Sequence, residues 1–263
     1  MKGFAPNLTM LFTERPFLER FAAARAAGFR AVEFQLPYGE ERGAVRAAAE
    51  AAGIEVALFN LPAGRWDQGE RGIAILPDRS QEFRDGVELA IEYARELGCT
   101  MLNCLAGKRP DGLSEEEAFA VLTDNVIYAS ERLADQGMRL LVEPCNHLDI
   151  PGFFVDSIPL WSRLYEAAGV SNLYLQYDFY HVQRMQGELL ATFASLQSRI
   201  AHVQIADNPG RHEPGTGEIH YPNVFAALAA SGYEGYIGLE YIPSGLTEST
   251  FDWTENAPIY GRA

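Results

Sequence analysis

Hydrophobic and polar positions recur along this chain in a two-part rhythm. A short apolar run leads into an alanine-rich segment with apolar residues at helical spacing, then usually a glycine, and the cycle restarts. Phe17, Phe21 and Ala24 fall on one helical face, which predicts a helix from near Thr13, with Pro16 in its first turn and Gly28 at its close. FRAVEFQL and the helix-like ERGAVRAAAEAAG make the second cycle. IEVALFNLP is followed by a loop-like passage to about Pro77 and a helix ending at Gly98. CTMLNCLAG precedes a helix that stops at Gly137, and its start, Ser114 with Glu117 three residues on, has capping-box spacing. MRLLVEP, a helix over 160–168, SNLYLQYD, a helix over 188–197, IAHVQIAD, VFAALAASG and YIGLEY complete eight strand-like runs.

Strands alternating with helices across short breaks predict parallel strands joined by crossover helices. Eight such units in one domain spanning 1–263 predict an α/β fold of the (β/α)8 barrel type. A doubly wound open sheet is the main competitor. Its nucleotide-binding forms lose support because neither GxGxxG nor GxxxxGK[ST] occurs. The tail from Ser244 to Ala263 is irregular and reads as a short terminal helix or an arm across a neighbouring copy, so a homo-oligomer stays open.

Charge narrows the partners. A net charge of −15 argues against nucleic acid and against an anionic membrane surface, since both are held through cationic side chains. No apolar run has the length of a signal sequence or a membrane span. Cys99, Cys104 and Cys145 are odd in number and lack CxxC spacing, which fits buried thiols in a reducing cytoplasm rather than disulfides or a zinc site.

The strand-like runs finish on polar residues: Asn7, Glu33 or Gln35, Asn60, Asn103, Glu143, Asp178, Gln204 and Glu240. In a barrel these ends meet on the face where active sites are built. Alternation points Gln176, Asp178 and Gln204 inward, and Leu173, Leu175, Val203 and Ile205 toward the helices. Polar strand ends also satisfy backbone groups or cap helices, and for Asn7 and Asn60 that role stands equally open. Three converging carboxylates repel one another unless a cation or shared protons compensate. The oxygen-only set Glu143, Asp178, Gln204 and Glu240 suits Mg²⁺ or Mn²⁺ better than zinc. His181 falls in a loop three residues past Asp178, where a substrate hydrogen bond and a structural role are both open. Arg211 and Lys108 are the cations available to an anionic substrate. His147, His202, His212 and His220 read as structural, and the glycines of PGTGE as a tight loop.

NLTMLFTE, LNCLAGKRP, LVEPCNHLDIPGFF, LQYDFYHVQRMQGE, HVQIADNPGRHEPGTGEIHY and YIGLEYIP together resemble the hydroxypyruvate isomerase family of xylose-isomerase-like TIM barrels. That family includes 2-oxo-tetronate isomerase, and the ketose 3-epimerases are more distant on the same barrel. The resemblance implies that Glu143 in VEP and Glu240 in LEY donate and accept the proton. It implies that Asp178 in YDFYH and Gln204 in HVQIAD complete the metal positions. The epimerases have histidine where Gln204 stands, which points to the isomerase branch. His181 and Asp149 match epimerase positions that contact substrate. Where the family commonly reads INxRD after EP, this chain reads CNHLD and lacks a basic residue at Leu148.

The expected function is aldose–ketose isomerisation of a small hydroxy-oxo acid, hydroxypyruvate to 2-hydroxy-3-oxopropanoate, through an enediolate. A 2-oxo-tetronate isomerase or a ketose 3-epimerase keeps the chemistry and changes the substrate. An endonuclease-like barrel would need more histidine ligands and a basic face, and a non-catalytic sugar-binding barrel would not need the convergent acids.

Overall fold

The structure is a computed structural model that describes residues 1–256. Its eight strands are β1 (Gly3–Pro6), β2 (Ala31–Glu33), β3 (Glu55–Asn60), β4 (Met101–Cys104), β5 (Arg139–Val142), β6 (Leu173–Asp178), β7 (Ile200–Ile205) and β8 (Tyr236–Leu239). They run parallel in the order β1-β8-β7-β6-β5-β4-β3-β2. The parallel bridge between Asn7 and Glu33, with Leu8 N donating to Glu33 O at 2.7 Å, brings β1 to β2 and nearly closes the barrel.

The strands are coated by α1 (Arg20–Ala26), α2 (Arg42–Ala52), α3 (Ser80–Leu97), α4 (Glu115–Ala134), α5 (Ile158–Ala168), α6 (Phe179–Met185), α7 (Leu189–Leu196) and α8 (Tyr221–Ser231). Leu173, Leu175, Val203 and Ile205 join the helix-facing core, as alternation predicts. Each such buried side chain stabilises the fold by about 1.5–3 kcal/mol. Ser114 caps α4 by accepting from Glu117 N, so the capping-box spacing is realised on that side.

One predicted element differs. The first helix begins late: Pro16 has ψ 148, an extended value, so it precedes a 3-10 turn at Phe17–Glu19 and α1 rather than joining them. Glu14 is drawn away to accept from Thr247 N at 2.9 Å, which holds the preceding residues in a turn. After β8, the irregular tail forms short 3-10 turns at Thr247–Thr250 and Asp252–Asn256. There Trp253 stacks on Phe225 at 5.9 Å and Phe251 meets Phe29 at 4.9 Å, sealing the outside of β1 and β8. The rest of the tail, 257–263, lies outside the described residues.

Inside the barrel, one end is filled by Ala5, Ala31, Ala57 and Tyr236, and by Leu58, Leu141 and Ala201. The other end is polar and carries the site.

Candidate active site

The register of the last three strands aligns the side chains that matter. Asp178 pairs with Gln204, and Gln204 pairs with Gly238, two residues before Glu240. Glu143 follows β5 directly, and Glu240 follows β8. Among the described residues, oxygen atoms of Glu143, Asp178 and Glu240 lie within 4.8 Å of one another, and all three residues are buried. Asp178 caps α6 by accepting from Tyr180 N at 2.8 Å through Oδ1, which turns Oδ2 toward the cluster.

A layer of amides beneath the acids sets their orientation. His202 Nε2 lies 2.6 Å from Glu33 Oε2, both side chains fully buried. Glu33 Oε1 accepts from Gln204 Nε2 at 2.7 Å and from Asn7 Nδ2 at 3.0 Å. The Gln204 amide nitrogen is thus committed below, and its oxygen faces Gln176 Nε2 at 2.6 Å. That same Gln176 nitrogen donates to Glu143 Oε2 at 2.9 Å. Glu240 Oε1 accepts from Gln35 at 2.8 Å, so Gln35 touches the acid cluster directly while Glu33 supports it from below.

Arg211 enters from the loop after β7. Its φ is 58, an uncommon value for a side-chain-bearing residue. The loop holds it there: Asp207 N donates to His212 O, and Ile242 N donates to Arg211 O, both at 2.7 Å. The Asp207 carboxylate accepts from Asn208 N, Gly215 N and Ile219 N, which fixes the turn through the glycines. Arg211 Nη2 reaches Glu240 Oε2 at 2.9 Å and Asp178 Oδ2 at 3.7 Å.

Burial dominates the electrostatics. Burial and the repulsion of Glu240 and Asp178 push the Glu143 carboxyl well above its ordinary range. Asp178 is pushed up to about 7 by burial, against the opposing pull of Arg211. Glu240 is raised by burial, again opposed by Arg211. Burial disfavours the Arg211 cation, yet Glu240, Asp178 and Glu143 hold it protonated.

Sequence reasoning put His181 in a loop. The structure corrects this: it lies in the first turn of α6, a helix too short for the periodicity to reveal. Its Nδ1 accepts from Asn146 N at 3.1 Å, so the proton belongs on Nε2, which points at Asp178 (3.6 Å) and Glu143 (3.7 Å). Burial, with Arg211 nearby, holds its pKa well below the usual value. Asp149 accepts from Tyr180 Oη at 2.6 Å and from Asn146 Nδ2 at 3.0 Å. Asp149, His181, Arg211, Glu143 and Glu240 all line one cavity of about 230 Å³. Asp178 and Gln204 lie beneath its surface. Lys108 is not in the lining, and its Nζ faces Gly69 O at 3.5 Å. Leu148 is exposed.

The model of a family described as xylose isomerase-like TIM barrel matches residues 21–257. The chain belongs to that family. Among xylose isomerase-like relatives it is 47% identical to hydroxypyruvate isomerase of Escherichia coli K12, covering 97% of this chain and 99% of that one. It is 39% identical to 2-oxo-tetronate isomerase of Cupriavidus necator over the full length of both (100% of each). A solved structure titled AP endonuclease, family 2, from Brucella melitensis superposes with a TM-score of 0.91 at 39% identity, covering 97% of this chain and 99% of that one.

The donor set of this xylose isomerase-like barrel fits a divalent cation. Glu143 Oε1 and Asp178 Oδ2 are buried and have no hydrogen-bond partner, although the acids stand against one another. Buried acceptors without donors are costly, and a hard cation satisfies them with oxygen ligands. A second grouping, Glu143 with Cys145 and His181, fits less well. Burial and Glu143 hold the Cys145 thiol protonated, and His181 Nε2 carries its proton.

Sequence reasoning missed Gln176, Arg71 and Trp66. Alternation points Gln176 inward but does not reveal that it links Gln204 to Glu143. Arg71 and Trp66 line the cavity from the long loop after β3, where no periodicity marks them.

Proposed function

We propose that the protein isomerises hydroxypyruvate to 2-hydroxy-3-oxopropanoate with Mg²⁺ or Mn²⁺ held by Glu143, Asp178, Gln204 and Glu240. The observation that carries this reading is the pair of buried oxygens of Glu143 and Asp178 that accept no hydrogen bond and lie within 4.8 Å of Glu240. A bound divalent cation supplies electrostatic stabilisation of negative charge developing on adjacent substrate oxygens. The remaining work belongs to side chains. One of Glu143 and Glu240 takes the proton from the hydroxymethyl carbon, giving an enediolate, and a proton is returned to the neighbouring carbon. The hydroxyl proton moves from one oxygen to the other, so the product is an isomer. His181 Nε2–H and the Arg211 guanidinium are the donors available to the substrate oxygens, and Asp149 fixes the Tyr180 hydroxyl beside them.

The 39% identity to a 2-oxo-tetronate isomerase over both full lengths favours a second substrate with one more carbon. A nuclease reading has less support, because a net charge of −15 opposes a polyanionic backbone. The free, buried thiols of Cys99, Cys104 and Cys145 support a reducing, cytoplasmic setting. Among the described residues, no helix is long and apolar enough to cross a membrane.

The test is a panel of three- to six-carbon oxo acids and ketoses with purified protein, with chelator and with added Mg²⁺ or Mn²⁺. Hydroxypyruvate turnover that is lost on chelation and restored by either ion is the expected result. Turnover of ketoses alone would overturn the substrate assignment.

A further inference from the structure

A hydroxy-oxo acid brings a carboxylate into a cavity already rich in acids, and some cation must receive it. Arg211 already has its charge offset by carboxylates of the protein, with Glu240 Oε2 at 2.9 Å and Asp178 Oδ2 at 3.7 Å, and its Nε donates to Glu240 O at 3.3 Å. Lys108 does not line the cavity. Arg71 does, together with Trp66, Glu143, His181 and Glu240.

Arg71 is oriented as an anion receptor. Its guanidinium carbon lies 3.9 Å from the centroid of the Trp66 ring, a stacked cation–π contact. Nη1 donates to Trp66 O at 3.1 Å and to Glu70 O at 2.7 Å, which fixes the plane by one edge. The Nε–Nη2 edge is the fork that matches a carboxylate bidentately. Among the described residues no carboxylate lies within 4.0 Å of this guanidinium, unlike that of Arg211.

The loop that carries Arg71 is built to hold still. The Glu70 carboxylate accepts from Arg65 N at 2.5 Å and from Arg79 Nη1 at 2.7 Å. The next residue, Gly72, has φ 113, and a Cβ there would stand 2.1 Å from Leu105 O, so only glycine allows this approach to the loop after β4. A fixed, stacked arginine loses little conformational entropy on binding an anion. Leu105, Ile150 and Phe153 complete an apolar wall in a cavity of about 230 Å³, a size for a short-chain acid.

We propose that Arg71, held on the Trp66 ring, anchors the substrate carboxylate and makes the site select short hydroxy-oxo acids over uncharged ketoses of the same length. This rests on the isomerase reading above, but its test includes an arm that does not. Wild type, Arg71→Met and Arg71→Lys, each loaded with Mn²⁺, are assayed on hydroxypyruvate and on its uncharged counterpart dihydroxyacetone. Binding of glycerate, a hydroxy acid with no carbonyl to isomerise, is measured by calorimetry. For Arg71→Met the expected KM for hydroxypyruvate rises ~10–100-fold, in the range for a lost charge-assisted hydrogen bond. Glycerate binding weakens by a similar factor, kcat changes less than KM, and dihydroxyacetone kinetics stay as in wild type. Arg71→Lys recovers part of the loss, because a point charge replaces the fork. Unchanged KM and glycerate binding in Arg71→Met overturn the anchor while leaving the isomerase reading intact. If wild type turns over neither substrate, the isomerase reading fails. The anchor then stands or falls on whether glycerate binding is lost with Arg71.

Discussion

On β1, β2, β3 and β5 the barrel interior holds Ala5, Ala31, Leu58 and Leu141 deeper in each strand and, two residues further along the same stave, Asn7, Glu33, Asn60 and Glu143. On β6, β7 and β8 the same step runs from Gln176, His202 and Gly238 to Asp178, Gln204 and Glu240. The apolar level gives the acids a floor of low polarizability, which raises the cost of their charge and prepares them for a cation. The polar level on the β6–β8 side does something different. It reaches deeper and fixes which atom of each amide faces the acids. Gly238 is part of that device: a Cβ there would lie 2.3 Å from Glu33 Oε2, so the missing side chain makes room for the Glu33 carboxylate.

The largest effect is expected at the upper level. Glu143→Gln or Glu240→Gln should lower turnover ~10²–10⁴-fold, with circular dichroism unchanged, because proton transfer is lost while the packing is kept. Near-normal turnover of either variant removes that residue from the mechanism. At the lower level the cost should appear in stability instead. Leu141→Ala should destabilise by about 2–5 kcal/mol in denaturant unfolding, with kcat retained below the transition. A loss of kcat without a loss of stability would break the division between levels.

In the contacts that orient the amides, Glu33→Gln and Gly238→Ala should weaken Mn²⁺ binding by calorimetry ~10–100-fold, because each disturbs the group that directs the Gln204 oxygen. Unaltered Mn²⁺ affinity in both would show that the amide layer does not orient the site.

The smallest effect is a pH dependence. The folded-state pKa of Asp178 is raised to about 7, so its neutral form is the one the metal-free fold favours. Its contribution is present below the unfolded carboxyl value of about 3.9 and is lost as pH rises through about 7. The Tm of chelator-treated protein should therefore fall between about pH 4 and about pH 7. The gain on adding Mn²⁺ should grow over the same window, by on the order of a few °C. A Mn²⁺ gain that shrinks with rising pH would count against the acids as ligands.

The barrel was legible because each stave carries a strong apolar run and each run ends on one polar residue. Glu143, Asp178, Gln204 and Glu240 could be named from that alone, and the structure brings Glu143, Asp178 and Glu240 together with Gln204 just below. Glu33 and Gln35 could not be separated, since a two-residue step leaves both on the inward side, and the structure uses both. Lys108 and Arg71 show the limit. Both are basic residues in loops at the mouth, and only backbone hydrogen bonds and a ring contact decide that Arg71 faces the cavity. Such contacts depend on loop conformation, which has no sequence period. The α6 helix escaped for a related reason, because FYHVQRM is too short to show two turns of apolar spacing.

Gly72 and Gly107 meet backbone to backbone: a Cβ on Gly107 would lie 2.5 Å from Gly72 O, as one on Gly72 would crowd Leu105 O. The loops after β3 and β4 are therefore seated against each other without an intervening side chain. Under selection for a new substrate, a change near Arg71 that shifts one loop displaces the other, so its effect depends on what residues 105–107 already are. Mutations in these two loops are expected to be strongly epistatic, while mutations in the β3 loop and in α8, which adds nothing to the cavity lining, combine additively. Variant libraries that treat the β3 loop as an independent module would discard its productive changes, which require a matching residue on the neighbouring stave.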